Sequence, residues 1–363
     1  MKSSLPPNKT SEFLNPPSDS DQIRPEAAKL FEDKSIVKPV LDQLARQSVL
    51  SAKEFTREQV IELCKLAAIL ETVEIAAYHP LDGKIAITAF FEASTRTRTS
   101  FESAVLRLDG KIISIADGSV TGARKGESLA DIGEMFNAYG DVVIMRHTET
   151  EAPGQILSNL RIPLINAGNG TGEHPTQALA DWYALLKWMP DLARPDRSPS
   201  DKLELGILGT PGSMRAVKSF LLLSLLFRES IRKVTVISEM ADPFGADLVD
   251  DLKQAGIDYE VTNDIQQRLG VLDVIYMNSI AFLGDSYKTL DSRYKLDRDS
   301  PLKQGAVILH PLARLDELDT SLDDTPHNLY FSQAHGAVFI RQALLMAVLE
   351  RLHRLSDIID IKV

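Results

Sequence analysis

The sequence predicts an α/β protein built from two doubly wound parallel-sheet domains, and three observations support this fold class. From Lys84 onward, short apolar runs alternate with helical patterns, as is typical of parallel sheets covered by helices on both faces. The chain has 363 residues, enough for two hydrophobic cores. The polar segment 190–201, rich in proline and aspartate, reads as a connection with an α/β half on each side.

The individual elements follow from the hydrophobic pattern in chain order. A helix before Ser51 and another at 56–72 precede the first strand. The strands are predicted at residues 85–91, 111–115, 142–145, 164–166, 204–208, 233–237, 274–277 and 306–309. The helices between and after them are predicted at residues 98–108, 128–138, 152–157, 176–188, 214–227, 243–255 and 336–355.

Composition and charge exclude several classes of protein. An apolar fraction of 44% with 25% charged residues is that of a soluble globular protein, and no apolar run is long enough to span a membrane. The net charge of −11 argues against nucleic acid or an anionic membrane as a general partner. The single cysteine, Cys64, lies in a helical pattern, which predicts a core thiol and a cytoplasmic location.

The first 40 residues differ in composition from the rest of the chain. They are rich in proline, serine and charged side chains and lack the unbroken apolar segment of a signal peptide. We expect residues 1–40 to form a mostly disordered or partner-binding extension, with a short helix near residues 27–31.

One stretch, residues 90–101, has the composition of an anion site. It lies where a predicted strand gives way to a helix, whose first N–H groups and dipole favour an anion. Side chains that suit phosphate are concentrated on this turn: Ser94, Thr95, Arg96, Thr97 and Arg98. Ordinary capping with solvated arginines is the alternative. Three hydroxyls and two arginines exceed what a cap requires, so the pattern favours phosphate.

Polar residues follow two further predicted strands. Arg146 comes directly after the strand 142–145, at the edge where ligands of open parallel sheets bind. His174 and Gln177 flank the start of a helix that has Pro175 at its first position. A histidine there can donate to a developing oxyanion, and the glutamine amide can both donate and accept. The alternative, that His174 only caps the helix, stays open.

Three other turns carry candidate residues. The glycine-rich segment 116–128 is either a mobile lid with a cation at its basic end or a solvated loop. The turn 208–215 places Arg215 where it could bind a carboxylate, although its spacing is not that of a dinucleotide fingerprint. Pro311 restricts the turn after the last strand, so its carbonyls could be fixed acceptors. The histidine and cysteine spacings do not support a metal site or a covalent nucleophile.

Together these motifs resemble the aspartate/ornithine carbamoyltransferase family, and within it the aspartate carbamoyltransferase catalytic chain is the nearest branch. The resemblance covers roughly residues 47–355. Five motifs occur in the order of the family: Phe90 to Phe101, Lys125-Gly126-Glu127, Arg146-His147, His174-Pro175-Thr176-Gln177-Ala178-Leu179 and His310-Pro311-Leu312. The ornithine branch fits worse, because its H-C-L-P and S-M-G signatures are absent.

The resemblance implies a carbamoyl phosphate site with a role for each matched residue. The phosphate would be bound by Ser94, Thr95, Arg96, Thr97 and Arg146. The carbonyl oxygen would be held by Thr97, Arg146 and His174. The carbamoyl amide would be held by Gln177 and the main-chain carbonyls of Pro311 and Leu312. No metal or organic cofactor is implied.

The same resemblance implies the assembly and the division into domains. Lys125 would reach the active site from the neighbouring subunit of a homotrimer and would act there with Arg96, Thr97 and His174. Residues 41–188 together with 336–363 would form the carbamoyl phosphate-binding domain, to which the C-terminal helix returns. Residues 189–335 would form the amino-acid-binding domain. Association with regulatory or dihydroorotase-like chains is left open.

The acceptor half departs from the aspartate branch. Where that branch has an arginine and a glutamine after the strand 274–277, this chain has Ser279 and Ala281, although Arg215 matches an arginine that contacts the acceptor carboxylate. Ala313 replaces the second proline of H-P-L-P, and the lid serine appears as Thr121 or has shifted to Ser119.

Three readings therefore remain. The favoured one is transfer of the carbamoyl group from carbamoyl phosphate to the α-amino group of L-aspartate in pyrimidine biosynthesis, with a cation such as Lys288 or Arg293 replacing the missing contact. The second is a carbamoyltransferase for another amine. The third is a catalytically silent, anion-binding or regulatory member of the family. Retention of Arg96, Lys125, Arg146, His174 and Gln177 weighs against silence.

Overall fold

The computed structural model describes residues 27–30, 35–73, 75–117, 126–240, 242–278, 294–357 and 359–362. The strands are β1 Ser35–Val37, β2 Ile85–Phe90, β3 Lys111–Ile115, β4 Val142–His147, β5 Leu164–Asn169, β6 Leu203–Leu208, β7 Ile231–Ile237, β8 Asp258–Thr262, β9 Val274–Met277, β10 Val307–Leu309 and β11 Asp360–Lys362. The α-helices are α1 Lys38–Asp42, α2 Arg57–Thr72, α3 Thr95–Arg107, α4 Leu129–Tyr139, α5 Ala152–Leu157, α6 Pro175–Trp188, α7 Arg215–Ser224, α8 Ala246–Ala255 and α9 Tyr330–Val348.

The first sheet has four parallel strands in the order β3-β2-β4-β5. Its central strands are apolar and buried because helices cover both faces, with α3 on one side and α4 and α5 on the other. The chain moves outward from β2 to β3 and then returns to the opposite side of β2 with β4. The carboxyl ends of β2 and β4 therefore border a topological switch point, where a crevice opens.

The second sheet repeats this arrangement with five parallel strands in the order β10-β9-β6-β7-β8. Its switch point lies between β6 and β9, so the turns after Leu208 and Met277 open toward a second crevice. The predicted α/β fold with two parallel sheets is confirmed.

Helix α9 packs against α2, α3 and α6, so the last long helix lies beside the first sheet. Most of its residues are apolar and buried, and the helix packs between other helices for that reason. Helix α2 begins with a reciprocal capping box, in which Thr56 accepts from the N–H of Gln59 and the Gln59 side chain accepts from the N–H of Thr56. None of the helices in the described ranges is both long and apolar enough to cross a membrane.

Several elements differ from the sequence-based expectation. Strand β8 was not predicted, because an edge strand with a half-exposed, polar sequence has no apolar run. Helix α9 begins at Tyr330 rather than Gly336, and α7 ends at Ser224, where a short 3-10 helix follows. Within the proposed extension 1–40, β1 pairs with β11, and Ile36 is fully buried.

Candidate active site

A cleft of about 810 Å³ lies where the carboxyl ends of the two sheets face each other. Its walls come from the start of α3, the ends of β4 and β5, the start of α7, the turn after β10 and the inner face of α9. The residues predicted for the site that line this cleft are Ser94, Arg96, Thr97, Arg146, His174, Gln177, Arg215, Pro311 and Leu312. The cleft thus brings together motifs that are up to about two hundred residues apart in the sequence.

Helix α3 begins at the cleft in the manner expected of an anion site. Ser94 is the N-cap residue, but its side chain makes no capping hydrogen bond, so its hydroxyl is available to a ligand. Thr97 is buried in the first turn of the helix and also lines the cleft. Thr95 occupies the first helical position and is exposed, but it is not among the residues that line the cleft. The free N–H groups and the dipole of this helix end provide a positive local field.

The two arginines of the S-T-R-T-R motif point in different directions. Arg96 lies in the cleft and its Nη2 donates to the carbonyl oxygen of Leu312 at 2.5 Å. Arg98 lies on the other side of the helix, where its Nη1 donates to Glu102 at 3.2 Å and to Ser114 at 3.3 Å. The suggestion that Arg98 belongs to the phosphate site is therefore wrong, because helical geometry turns it toward β3.

Arg146 extends from the end of β4 and is mostly buried. Its Nη2 donates to Glu92 at 2.7 Å and its Nη1 donates to the carbonyl oxygen of Ala167 at 3.3 Å. Gly168, with φ of +114°, lies beside it, and a Cβ at that position would come within 3.0 Å of the Arg146 guanidinium and 3.2 Å of the Arg215 guanidinium. The positive φ favours glycine at this position, and a side chain there would require both guanidinium groups to shift by a few tenths of an ångström.

Arg215 is the first residue of α7 and reaches across from the second sheet. Its Nη1 and Nη2 donate to the two carboxylate oxygens of Glu92 at 2.8 and 2.5 Å, and Nη1 also donates to the carbonyl oxygen of Gly170 at 3.1 Å. Burial raises the pKa of Glu92, but hydrogen bonds and charges from Arg215 and Arg146 outweigh it and hold that pKa below its usual range. Glu92 is therefore an ionised carboxylate shared by two cations.

His174 precedes α6, but its side chain does not cap this helix. Its N–H donates to the hydroxyl of Ser219 at 2.8 Å, and its Nδ1 lies 3.4 Å from the Thr176 hydroxyl. Its Nε2 is buried and has no hydrogen-bond partner within the described part of the chain. Burial, followed by the charges of Arg146, Arg341 and Arg215, lowers the pKa of His174 well below its usual value. The imidazole is thus neutral and borders the cleft with one free nitrogen.

Gln177 belongs to a buried polar network that the sequence did not reveal. Its Nε2 donates to Asp181 Oδ1 at 2.8 Å, and Gln333 of α9 donates to the same oxygen at 2.5 Å. Gln333 Oε1 in turn accepts from the N–H of His310 at 2.8 Å. Arg341, in the second half of α9, is buried, and its guanidinium lies over the Phe101 ring, 4.6 Å from the ring centroid.

The turn after β10 presents main-chain carbonyls to the cleft. The Leu312 N–H donates to His310 Nδ1 at 2.8 Å, and His310 Nε2 pairs with Glu317 at 2.9 Å, so the ring fixes the turn. Leu312 has a φ of +57°, and its peptide bond to Ala313 is cis. The Leu312 carbonyl oxygen accepts a hydrogen bond from Arg96 on the opposite wall.

Some predicted residues fall outside the described ranges, and the structure does not test them. They are the lid residues Ser119, Thr121 and Lys125 and the acceptor residues Ser279, Ala281, Lys288 and Arg293. His147, for which no role is predicted, accepts the Glu149 N–H at 3.0 Å through its Nδ1. Within the described ranges, no group of three or more His, Cys, Asp or Glu residues could hold a metal ion.

Four contributors to the site were missed by sequence reasoning: Glu92, Asp181, Gln333 and Arg341. Glu92 lies inside the quoted motif, and Asp181 follows Gln177 by one helical turn, so spacing could have suggested both. Gln333 and Arg341 are buried polar residues on a helix that also carries Ser332, His335 and Gln342, so the local sequence does not single them out.

Comparison with known families agrees with this geometry. Residues 47–187 match the family model described as the aspartate/ornithine carbamoyltransferase carbamoyl-P binding domain, and residues 201–348 match its Asp/Orn binding domain. The chain belongs to the aspartate/ornithine carbamoyltransferase family, as its motifs indicated.

Relatives of known name point to one branch of this family. The aspartate carbamoyltransferase catalytic subunit of Pyrobaculum calidifontis is 34% identical over 309 residues, which cover 84% of this chain and 98% of that protein. The chloroplastic aspartate carbamoyltransferase of Arabidopsis thaliana is 33% identical over 319 residues, covering 85% of this chain and 79% of that protein. The crystal structure of aspartate transcarbamoylase from Trypanosoma cruzi with carbamoyl aspartate and phosphate superposes with a TM-score of 0.75 at 29% identity, covering 86% of this chain and 98% of that one.

Proposed function

We propose that this chain transfers the carbamoyl group of carbamoyl phosphate to the α-amino group of L-aspartate, giving N-carbamoyl-L-aspartate and phosphate. The observation that carries the proposal is the convergence in one cleft of the start of α3, the Arg146 guanidinium and the free Nε2 of His174. These groups supply, side by side, a phosphate site and donors for a developing oxyanion. The names of the relatives support aspartate as the acceptor.

The proposed roles follow from where each group lies. The N–H groups at the start of α3, with Ser94, Arg96 and Thr97, bind the phosphate from one side and Arg146 binds it from the other. A phosphate contact from Thr95 is proposed from the family resemblance alone, because Thr95 does not line the cleft. Thr97, Arg146 and His174 donate to the carbonyl oxygen, and Gln177 with the carbonyls of Pro311 and Leu312 accepts from the carbamoyl amide. Since Arg96 now contacts the Leu312 carbonyl, the substrate would insert between these two groups.

The chemistry needs positioning and electrostatic stabilisation rather than a cofactor. The uncharged amine attacks the carbonyl carbon, and the new C–N bond gives a tetrahedral intermediate. The C–O bond to phosphate then breaks, and the proton lost by the amine leaves with the phosphate. Donors already fixed around the carbonyl oxygen lower the barrier, and each such donor typically contributes 10²- to 10³-fold to the rate. A neutral His174 can act as one of them through an N–H on Nε2.

The second candidate function is carbamoyl transfer to a different amine. It is favoured by Ser279 and Ala281, which stand where the aspartate branch has an arginine and a glutamine. In both candidates Arg215 binds an acceptor carboxylate and Lys125 completes the site, while the missing charged contact would be supplied by Lys288 or Arg293 if aspartate is the acceptor. Loss of one charged hydrogen bond costs about 1.5–3 kcal/mol, so a replacement is required for tight binding of aspartate.

The experiment that tests the function measures phosphate release from carbamoyl phosphate by the purified chain. Aspartate, ornithine and a panel of other amines are supplied as acceptors, and the product is identified by mass. Release that depends on aspartate and yields carbamoylaspartate supports the first candidate. Release that depends on another amine supports the second. If no amine causes phosphate release although carbamoyl phosphate protects the fold, both candidate functions would be contradicted. That result would favour a catalytically silent member of the family.

Assembly, domain division and location form a separate part of the proposal. We propose a homotrimer in which Lys125 enters the site of the neighbouring subunit, with residues 41–188 and 336–363 in one domain and 189–335 in the other. Mixing inactive Arg96→Ala and Lys125→Ala chains tests this, because a shared site restores activity in hybrid trimers and an unshared site does not. A cytoplasmic location is proposed on the single, buried cysteine, although two relatives are chloroplastic by name.

A further inference from the structure

Asp181 is a fully buried carboxyl that makes no contact with the cleft itself. It lies one helical turn after Gln177 on α6, and it is not among the residues that line the cleft. A carboxyl group in such a place is costly to bury, so its retention calls for a compensating role. The groups that contact it indicate what that role is.

One oxygen of Asp181 receives two side-chain amides from different helices. Gln177 Nε2 on α6 donates to Oδ1 at 2.8 Å, and Gln333 Nε2 on α9 donates to the same atom at 2.5 Å. An oxygen that accepts requires the NH₂ end of each amide to face it. The Oε1 of Gln177 is thereby directed away from Asp181, and Gln177 borders the cleft.

The hydrogen bond between Gln333 and Asp181 also orients a group on the opposite wall of the cleft. With its NH₂ end held by Asp181, Gln333 turns its Oε1 to the N–H of His310, which it accepts at 2.8 Å. His310 begins the turn whose Leu312 carbonyl points into the cleft, and the His310 ring also binds the Leu312 N–H. A single oxygen therefore orients both the side-chain and the main-chain acceptors at this end of the cleft.

The surroundings of Asp181 keep this oxygen an acceptor. The charged and titratable groups that face it are Arg341 of α9 and Tyr276 of β9, while Gln177 and Gln333 are its neutral donors. Burial raises the pKa of Asp181 to about 7, although the hydrogen bonds from the two amides oppose the rise. Oδ1 accepts in either protonation state, provided that a proton, when present, is on Oδ2.

We infer that Asp181 is a positioning residue that makes the cleft selective for a donor bearing an amide NH₂, by turning the oxygens of Gln177 and of the Leu312 turn toward it. This inference rests on the proposed function, because it assumes that carbamoyl phosphate is the donor. Acetyl phosphate has the same phosphate and carbonyl groups but carries a methyl group in place of the NH₂. The change in selectivity between the parent and a variant of this network therefore reports the hydrogen bonds that these acceptors make to the NH₂ group.

The test measures the dissociation constants of carbamoyl phosphate, acetyl phosphate and inorganic phosphate by titration calorimetry on the full chain. In the parent, carbamoyl phosphate should bind about tenfold or more tightly than acetyl phosphate, as expected for one or two extra hydrogen bonds. Asp181→Ala should bring this ratio close to one while binding of acetyl phosphate and inorganic phosphate stays within about threefold. Asp181→Asn should restore most of the selectivity, because its amide oxygen can replace Oδ1.

Two further variants separate orientation from a general loss of structure. Gln333→Met removes the link between Asp181 and the His310 turn, and it should lower the selectivity even if Asp181→Ala fails to fold. Ser224→Ala removes a different buried hydrogen bond to α6, the one from Trp182 Nε1 at 3.1 Å, and should leave the selectivity unchanged.

The outcomes distinguish this inference from the proposed function. A parent that binds carbamoyl phosphate no more tightly than acetyl phosphate would overturn the inference, whereas a parent that does not bind carbamoyl phosphate at all would overturn the proposed function as well. A selective parent whose selectivity survives in Asp181→Ala, or in Gln333→Met if the alanine variant does not fold, would overturn the inference alone. An equal loss of selectivity in Asp181→Ala and Asp181→Asn would also overturn the inference. The orientation of Gln177 and Gln333 would then not depend on an acceptor oxygen at position 181.

Discussion

Glu92 and Arg215 join the two sheets through a paired ion contact, in which the guanidinium donates to both carboxylate oxygens at 2.8 and 2.5 Å. Glu92 follows β2 in the first sheet, and Arg215 follows β6 in the second. Because Arg146 donates to the same carboxylate at 2.7 Å, Glu92 holds two cations to which we assign roles in ligand binding. An anion entering the cleft must therefore compete with Glu92 for both arginines.

Glu92→Gln is expected to separate binding from turnover. The neutral amide no longer offsets the two guanidinium charges, so inorganic phosphate should bind about threefold to tenfold more tightly at low salt. Turnover should fall about tenfold or more, because Arg215 is no longer held in the cleft. Phosphate titration and steady-state kinetics measure the two effects. Glu134→Gln, which breaks an exposed pair with Arg161, is the matched control and should change neither. Weaker phosphate binding in Glu92→Gln would contradict this account.

Arg96 and Arg98 offer a matched pair of substitutions on one helix. Arg96→Ala should lower kcat/KM by about a hundredfold or more, because the guanidinium in the cleft is proposed to stabilise the phosphate in the transition state. Arg98→Ala should stay within about threefold of the parent, since Arg98 pairs with Glu102 on the far side of α3. Steady-state kinetics with carbamoyl phosphate measure both. Near-parent activity of Arg96→Ala would remove the central assignment.

The contrast between these arginines indicates what the sequence could predict. The strand ends and the motifs at Ser94, Arg146 and His174 were predictable, because parallel strands place their carboxyl ends at one edge and each motif is local. The direction of Arg98 follows from the helical phase of α3 relative to β3, which a short motif does not specify. Gln333, which binds Asp181, belongs to a helix that is distant in the sequence, so no local sequence pattern predicts this contact.

The elements that were missed have a similar physical explanation. Strand β8 lies at the edge of its sheet, where exposed polar residues hide the apolar pattern that marks a strand. Helix α9 starts six residues before the expected position because Asn328, which lies before it, accepts the N–H of Phe331 and supports the first turn. The edge position in the sheet decides the first case, and a local capping hydrogen bond decides the second.

Ser219→Ala is expected to weaken both the fold and the placement of His174. The buried Ser219 hydroxyl accepts the His174 N–H at 2.8 Å and donates to Glu173 at 3.2 Å. Its removal leaves a buried N–H unpaired, so the free energy of unfolding should fall by about 1–3 kcal/mol. Turnover should fall too, because His174 is proposed to donate to the carbonyl oxygen. Denaturant unfolding and kinetics measure the two effects.

Ser230→Ala is the control for this prediction. Its hydroxyl is equally buried and donates to the Leu192 carbonyl at 3.0 Å, away from the cleft. It should lower stability without changing kcat. A Ser219→Ala protein with the stability loss but parent turnover would mean that the backbone of His174 does not depend on this hydroxyl.

Asp181 should also give the stability of the protein a characteristic pH dependence. Burial raises its pKa to about 7 in the folded state, whereas an aspartate in the unfolded chain titrates near 3.9. Between these values the folded state binds a proton that the unfolded state has released. The free energy of unfolding contributed by this group therefore falls as pH rises from about 4 to about 7, by up to about 4 kcal/mol. Above pH 7 the buried carboxylate lowers the free energy of unfolding by this full amount, and below pH 4 it does not lower it.

The measurement that isolates this group compares the parent with Asp181→Asn in urea at several pH values between 4.5 and 8. Other titrating groups cancel in the difference between the two proteins, and the asparagine keeps an oxygen for Gln177 and Gln333. The variant should gain stability relative to the parent steadily up to about pH 7 and then level off. A difference that does not change with pH would mean that Asp181 is ionised throughout this range, with Arg341 compensating its charge.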